Sequence, residues 1–455
     1  MKQDKAQEGA DMSIYKDCDI RGIYQEEFDQ EDAYLIGKAV GSLKGPGPFI
    51  VGGDVRLSTP VLKKRLIQGL METGAHVVDI GTVTTPLFYF AMEILGAEGG
   101  IMVTASHNPA QYNGFKLMFG SSAITPSEIK EIEERVKSGV FISGQGKWDR
   151  KEVMSEYREY MKGSFPEGGL KIVLDCCDGA ASKLVPSVME YLGYEVVRLY
   201  CGSDGRFPNR NPNPADYTCL TDICKKVRET GADLGAAYDG DGDRVVFIDN
   251  QGRYLTSEKS FSIFIKDCLS REKGSIVYDQ KSSSVVKETI LQEGGIPVME
   301  RSGYGFIKQH FLNIRALAAG EISGHFFFRE LGRDDGLYAT LRMCRIIREA
   351  GKTLAKMSDE LRDTLITPDY RMYCPYEKQE GLLAQARKLG ERYRVSELDG
   401  VRIEFADGWF LLRRSVTEQA VTFRLEAGDK EAMERIKTIV AEAVPKLREH
   451  SFFGG

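Results

Sequence analysis

The run Asp239-Gly240-Asp241-Gly242-Asp243-Arg244 sets three carboxylates at i, i+2 and i+4 with glycines between them. Glycine permits the backbone angles that turn all three toward one point. Oxygen ligands of this kind suit a hard divalent cation, Mg²⁺ or Ca²⁺. An EF-hand calcium loop fails on position, because its sixth residue should be Gly and is Arg244, and its twelfth should be Glu and is Asn250. A solvated Asp-Gly turn would use the same residues. The apolar lead-in LGAAY favours a buried strand that ends in a metal site.

Three further segments carry chemistry-bearing residues. TASHNP (104–109) follows the apolar run IMV and places Ser106 beside a histidine. Such a serine could be a nucleophile, though a serine in a turn is more often a cap or turn former. It lacks the flanking glycines of the GxSxG elbow. GEISGH (320–325) offers a carboxylate, a hydroxyl and an imidazole within a few residues. No second His or Cys stands at zinc-ligand spacing. RRSVTE (413–418) joins guanidinium groups to two hydroxyls between strand-like runs, which can grip a phosphate. An exposed Arg-Ser turn explains it equally well in isolation.

The elements that must position these segments recur in three similar groups. Strands are predicted near 48–54, 76–81 and 99–107; near 171–175, 195–200 and 232–243; and near 275–279, 296–303 and 315–325. Helical stretches such as STPVLKKRLIQGLMETG and SKLVPSVMEYLG lie between them and end at Gly. Strand–helix–strand at this spacing argues for βαβ units and mainly parallel sheets. The fold expected is α/β: three related α/β domains with mixed, mainly parallel sheets, plus a smaller C-terminal α+β domain around a central cleft. Boundaries are expected at 1–149, 150–252, 253–366 and 367–455. Ser106, Asp239 to Asp243 and Glu321 to His325 each end the third strand of a group. In open α/β sheets ligands bind beyond the carboxyl ends of the strands, so three domains would aim these loops at a common cleft.

Composition narrows the class. At 455 residues the chain is too long for one core, since cores stop growing at about 250–300 residues. Hydrophobic residues at 42% and charged residues at 28% fit a globular protein. A net charge of −6 gives no support to nucleic-acid or anionic-membrane partners. No apolar run reaches the ~18 residues of a membrane helix. The polar start, MKQDKAQEGAD, is expected to be a loose tail or start-site extension. Nine scattered cysteines, Cys176 and Cys177 adjacent among them, read as buried or incidental thiols in a reducing compartment. The cytoplasm is the expected location.

In this order the four segments, with CDIRG (18–22) and YNGFK (112–116), resemble the α-D-phosphohexomutases, and most closely the bacterial phosphomannomutase/phosphoglucomutase branch. The resemblance spans essentially the whole chain and implies four domains, the first three related. It implies that Ser106 is phosphorylated in the active enzyme, and that Asp239, Asp241 and Asp243 bind Mg²⁺ with an oxygen of phospho-Ser106. Arg21 and Arg244 would neutralise the transferring phosphoryl, and Lys116 and His325 would be the acid/base pair. Glu321 and Ser323 would grip sugar hydroxyls; Arg413, Ser415 and Thr417 would hold the non-reacting phosphate. Lys281 and Tyr304 complete the implied substrate-binding set. The implied reaction interconverts hexose 6-phosphate and hexose 1-phosphate, of mannose or glucose, through a hexose 1,6-bisphosphate that must turn around between its two half-reactions. The only partner implied is the phosphosugar.

The chain departs from the family pattern at several points. Val416 and Gln419 replace the usual Asn/Gly and Pro of the Arg-Ser loop, Tyr304 stands where close relatives carry His, and Cys18 where many carry Tyr. Alternatives are a phosphoglucosamine mutase, which usually shows Gln in place of Ile322, and a catalytically silent phosphosugar-binding paralogue. A third treats Asp239 and Asp241 as the Asp-x-Asp of a haloacid-type phosphatase.

Overall fold

Short runs rich in Val, Ile and aromatic residues pair into four sheets in the computed structural model, which describes residues 14–120, 122–165, 168–415 and 419–454. The second sheet shows the unit most simply. Its strands lie in the order Val245–Asp249, Leu234–Tyr238, Lys171–Asp175, Glu195–Leu199, the first antiparallel to its neighbour and the others parallel. The first sheet repeats that order with Tyr112–Phe119, Gly99–Val103, Pro48–Gly53 and His76–Thr82, and adds edge strands Ile20–Ile23, Ser122–Ala123 and Lys147–Arg150. The third repeats it with Phe326–Phe328, Ala318–Gly320, Ser275–Asp279 and Ile296–Glu300, and adds Arg333–Asp334. The expected threefold pattern is therefore a repeated strand order, and each unit also carries an antiparallel fourth strand that the spacing did not reveal.

Helices cross between the parallel strands as their caps and apolar faces dictate. Thr59–Met71 begins at Ser58 with Pro60 in its first turn. Ala181–Tyr191 keeps Pro186 inside and buries Leu184, Val185 and Val188. In Thr85–Ile94 the Thr84 hydroxyl accepts from the Leu87 N–H, and every residue from Thr85 to Met92 is buried.

The fourth sheet is wholly antiparallel: Leu365–Ile366, Ala420–Ala427, Gly408–Arg414, Val401–Phe405, Arg394–Ser396, with Tyr370–Tyr373 also on Ala420–Ala427. Helices Tyr376–Arg387 and Lys430–Ala443 cover it. This smaller α+β domain has its own core around Phe410, Phe423 and Ile436. By contrast one apolar cluster runs through the first three domains, from Phe88 and Phe90 through Leu184 and Phe247 to Phe264 and Phe326.

The C-terminal domain meets the third domain through polar groups. Arg402 donates to the Gln280 carbonyl, Arg424 Nη1 to the Lys281 carbonyl at 2.9 Å, and the Ser284 N–H to Glu426 Oε2 at 3.0 Å. No helix among the described residues is long and apolar enough to cross a membrane.

Candidate active site

Each third strand delivers its loop to the same place. Gly99–Val103 leads into the Ser106 loop, Leu234–Tyr238 into Asp239–Arg244, and Ala318–Gly320 into Glu321–His325. Ser106 Oγ donates to Asp239 Oδ2 at 2.7 Å, which joins the first two loops. Arg244 Nε donates to His325 Nε2 at 3.0 Å, which joins the second and third. The backbones are packed closely enough that a Cβ at Gly240 would stand 2.4 Å from the Ser106 carbonyl oxygen. Glycine is required there for contact, and at Gly242 for its φ of 78°.

Ser106 itself has φ 47°, a left-handed conformation that costs a non-glycine residue energy. The hold on it is extensive. Its N–H donates to Thr104 Oγ1 at 2.9 Å. Buried Arg56 uses its whole guanidinium on the surrounding loop. Nη2 donates to the carbonyls of Ser106 and Asn108 at 2.8 and 2.6 Å, Nη1 to those of Pro109 and Tyr112, and Nε to Asp54 Oδ2 at 3.0 Å. Thr104 Oγ1 donates to the same Asp54 oxygen at 2.8 Å. Arg21, on strand Ile20–Ile23, donates from Nη1 to Asn108 Oδ1 at 2.7 Å and reaches Asp19 with Nη2.

The three aspartates are buried, and one carboxylate oxygen from each lies within 4.8 Å of the others. Burial pushes the Asp239 carboxyl well above its ordinary range, and the neighbouring Asp243 and Asp241 charges push it further. Burial works against ionising Asp241 too, but Lys116 overrides it and holds that carboxyl below the usual range. Lys116, on the antiparallel strand Tyr112–Phe119, donates from Nζ to Asp241 Oδ2 at 2.9 Å and Asp243 Oδ2 at 2.5 Å. Burial would lower its amino group, and these two carboxylates raise it well above the ordinary value instead. Thr85 Oγ1 gives Asp241 Oδ2 another donor at 2.7 Å. Asp241 Oδ1 and Asp243 Oδ1 remain buried with no hydrogen-bond partner among the described residues. Two orphaned anionic oxygens beside a third carboxylate fit a hard divalent cation, with the serine oxygen adjacent.

His325 is buried between Asp334 and Arg244, with Nδ1 2.7 Å from Asp334 Oδ2. Since the Arg244 N–H donates to Nε2, the ring proton belongs on Nδ1, and a neutral imidazole presents its lone pair at Nε2. Glu321 Oε1 accepts from the Gly303 N–H at 3.2 Å and Oε2 from Ser323 Oγ at 3.4 Å. Burial raises the Glu321 carboxyl, with His325 opposing. The Tyr304 ring lies 5.4 Å from the His325 ring, while its hydroxyl turns away to Tyr89 Oη at 2.8 Å.

Other candidates are engaged elsewhere. Lys281 pairs with Asp369 at the seam of the third and fourth domains. Arg413 Nη2 pairs with Asp399 at 2.9 Å, while its Nε is buried without a hydrogen-bond partner among the described residues. Ser415 joins Ala420 by a backbone bond of 2.9 Å. Thr417, with Val416, lies outside the described residues. Sequence reasoning missed Arg56, Asp54, Thr85 and Asp334. The Asp-x-Arg after Pro48–Gly53 was the one available signal, since a buried guanidinium beside an aspartate at a strand end marks a loop clamp.

A phosphorylatable hydroxyl on a metal-competent carboxylate cluster, set where three α/β units converge, defines the α-D-phosphohexomutase class. Comparison with known proteins agrees over the chain. Residues 12–142, 155–252 and 256–365 match phosphoglucomutase/phosphomannomutase alpha/beta/alpha domains I, II and III, and residues 372–443 match the C-terminal domain. The phosphomannomutase/phosphoglucomutase of Pseudomonas aeruginosa is 36% identical over 436 residues, 94% of each chain. The phosphoglucomutase of Neisseria gonorrhoeae is 34% identical over 451 residues, 95% of this chain and 98% of that one. A crystal structure of a phosphoglucomutase/phosphomannomutase family protein from Burkholderia thailandensis superposes with a TM-score of 0.89 at 33% identity, covering 97% of this chain and 98% of that one. This chain belongs to the phosphoglucomutase/phosphomannomutase family.

Proposed function

We propose that the protein interconverts hexose 6-phosphate and hexose 1-phosphate, of mannose and/or glucose, through phospho-Ser106 and a hexose 1,6-bisphosphate. The observation that carries this is the 2.7 Å bond from Ser106 Oγ to Asp239, beside two buried and unpaired carboxylate oxygens. Asp239, Asp241 and Asp243 would hold Mg²⁺, whose bound charge offsets that of the transferring phosphoryl. Arg244 and Arg21 add positive charge on either side of the serine loop. His325 Nε2 would take the proton of the attacking sugar hydroxyl as the new P–O bond forms, once the Arg244 N–H that donates to it turns to the phosphoryl instead. Lys116, kept charged by Asp241 and Asp243, gives a proton to Ser106 Oγ as the old P–O bond breaks. After the bisphosphate turns, the same two groups run the transfer backwards and return a phosphoryl to Ser106. Glu321 and Ser323 would hold the sugar hydroxyls. Arg413, Ser415 and Thr417 would hold the phosphate that is not reacting, with Lys281 and Tyr304 completing the pocket wall.

The domain boundaries that suit this reading are 1–149, 150–252, 253–366 and 367–455. Nine free thiols suit the cytoplasm. Ser106→Ala should lower turnover by several orders of magnitude with the fold intact. Active wild type should carry one phosphate, about 80 Da, at Ser106. Near wild-type turnover in the alanine variant would sink the reading. A coupled assay with the 1-phosphates of glucose, mannose and glucosamine, each with a trace of its bisphosphate, would fix the sugar.

A further inference from the structure

Among the described residues, five of the eight non-glycine residues with positive φ lie in two neighbouring segments: Cys177 and Asp178, then Tyr200, Ser203 and Phe207. Such backbone costs energy and persists only where its surroundings impose it. The segments follow the parallel strands Lys171–Asp175 and Glu195–Leu199. Asp178 ties them together. Its N–H donates to the Tyr200 carbonyl at 2.6 Å, and its carbonyl accepts from the Asp204 N–H at 2.8 Å. Its carboxylate accepts from the Gly202 N–H and from Asn209 Nδ2, both at 2.7 Å. The laced pair then braces the active site on two sides. The Ala180 N–H donates to the Gly240 carbonyl of the aspartate loop at 2.9 Å. Arg56, the clamp of the Ser106 loop, lies over the Phe207 ring, 5.0 Å from its centroid.

Two thiols meet where these segments begin. Cys176 is fully buried, Cys201 is half-buried beside exposed Gly202, and both pack into the same apolar cluster. The Cys176 N–H donates to the Leu199 carbonyl at 3.3 Å. Cys201 Sγ lies 3.3 Å from that same oxygen and 3.7 Å from the Leu174 carbonyl. The two side chains share a hydrogen bond. That bond holds the Cys201 thiol below its ordinary value against burial, with help from the Cys176 N–H, while burial raises Cys176. Neighbouring strands lie about 4.8 Å apart, within the Cα separation of about 4.4–6.8 Å that a disulfide spans. A partly exposed thiol inclined to ionise, with a second thiol against it, has the make-up of a redox-sensing cysteine and its resolving partner.

We propose that Cys176 and Cys201 form a reversible redox site, closed to a disulfide by hydroperoxides and reopened by dithiols, whose closure lowers turnover. The Cys201 thiolate attacks a peroxide oxygen; an S–O bond forms, the O–O bond breaks, and the departing oxygen takes a proton. Cys176, giving up its proton, attacks the Cys201 sulfur; the S–S bond forms and the S–O bond breaks. The second oxygen leaves as water. Two thiols and one hydrogen peroxide thus give one disulfide and two waters. A dithiol reverses this by thiol–disulfide exchange and is itself oxidised, so the bond would be transient in a reducing compartment. Closing two sulfurs to about 2.05 Å draws Cys201 toward Cys176. The Tyr200 and Asp178 turns must follow, and they carry the braces on Gly240 and Arg56. Formation of the bond does not rest on the function proposed above; the loss of turnover does.

Peptide mapping of the full chain after treatment with hydrogen peroxide tests this, alongside mutase assays before and after dithiothreitol. Wild type should yield a linked Cys176–Cys201 peptide pair. Its turnover should fall at least about tenfold, since a displacement of about 1 Å at a reacting group is enough for that, and dithiothreitol should restore it. Cys201→Ser should form no such pair and keep its turnover under the same peroxide. Cys176→Ala should instead accumulate a sulfenic acid at Cys201, trapped by dimedone. If that core variant fails to fold, wild type and Cys201→Ser decide the matter by themselves. Absence of the linked pair from treated wild type would overturn the proposal. So would a linked wild type with full turnover, or equal loss of turnover in wild type and Cys201→Ser. A chain that forms the pair but shows no mutase activity before treatment would count against the proposed function and leave the thiol site standing.

Discussion

Replacing Arg56 by lysine keeps one positive charge in a fully buried site and removes the planar fork that the Ser106 loop is built around. Five hydrogen bonds leave this guanidinium, four to loop carbonyls and one to Asp54. An ammonium has three donors and a shorter reach, so at least two of these bonds must go. At about 1.5 kcal/mol each for bonds to a charged group, the loss is about 3 kcal/mol. Part of it falls on stability, because the freed carbonyls and Asp54 stay buried. The rest falls on geometry, because the left-handed backbone at Ser106 persists only while its surroundings impose it, and that strain is on the order of 1–3 kcal/mol. Urea unfolding and steady-state turnover, measured on the same preparation, separate the two parts. Turnover should fall roughly ten- to a hundredfold with the substrate KM little changed, since Arg56 touches no substrate. Phosphate occupancy of Ser106 should fall with it. Turnover within about twofold of wild type and an unchanged unfolding midpoint would refute the clamp.

The metal and the remote phosphate can be probed with single changes. Asp241→Asn should lose activity at ordinary Mg²⁺ and regain part of it as Mg²⁺ is raised, because the carboxylate with the orphaned oxygen supplies the charge; full activity of EDTA-treated wild type would refute the metal assignment. Arg413→Ala should weaken substrate binding by about 1.5–3 kcal/mol, roughly ten- to more than a hundredfold, and increase dependence on added hexose bisphosphate. An Arg413 variant with unchanged affinity and bisphosphate dependence would remove this loop from the substrate site.

The sequence was most readable where one strand ended in a dense run of unusual residues. SIVYD and KIVLD are strands at the residues read, and the Asp triplet stands at the end of the strand inferred from LGAAY. The antiparallel fourth strands were not legible for local reasons. Val245–Asp249 follows the aspartates with no break, and Phe326–Phe328 is too short for a period to show. The Ser106, Asp239 and His325 loops could be named because their chemistry lies within a few consecutive residues. Thr85 could not, since what it does depends on a partner 156 positions away, and the Asp-x-Arg run hinted at Arg56 without showing the loop it holds, 50 positions on. Tyr304 illustrates the remaining limit. Its departure from the family pattern was visible, but only packing shows its ring against His325 and its hydroxyl spent on Tyr89 and Lys308.

The uneven division of the core has a consequence for how the molecule melts. One apolar cluster crosses the boundaries between the first three domains, which should therefore unfold as a single cooperative unit. The fourth carries a separate core and is held by guanidinium, carbonyl and carboxylate groups that water can replace. Scanning calorimetry should therefore resolve two endotherms, the smaller with about 0.7 kcal/mol per residue of the C-terminal domain. Guanidinium salts, which compete for those polar contacts, should separate the two further. A seam carried mainly by such polar contacts exchanges them for water when it parts, so the C-terminal domain should move on it more readily than the first three domains move against one another, and the three-domain block would keep its aspartates and serine in register.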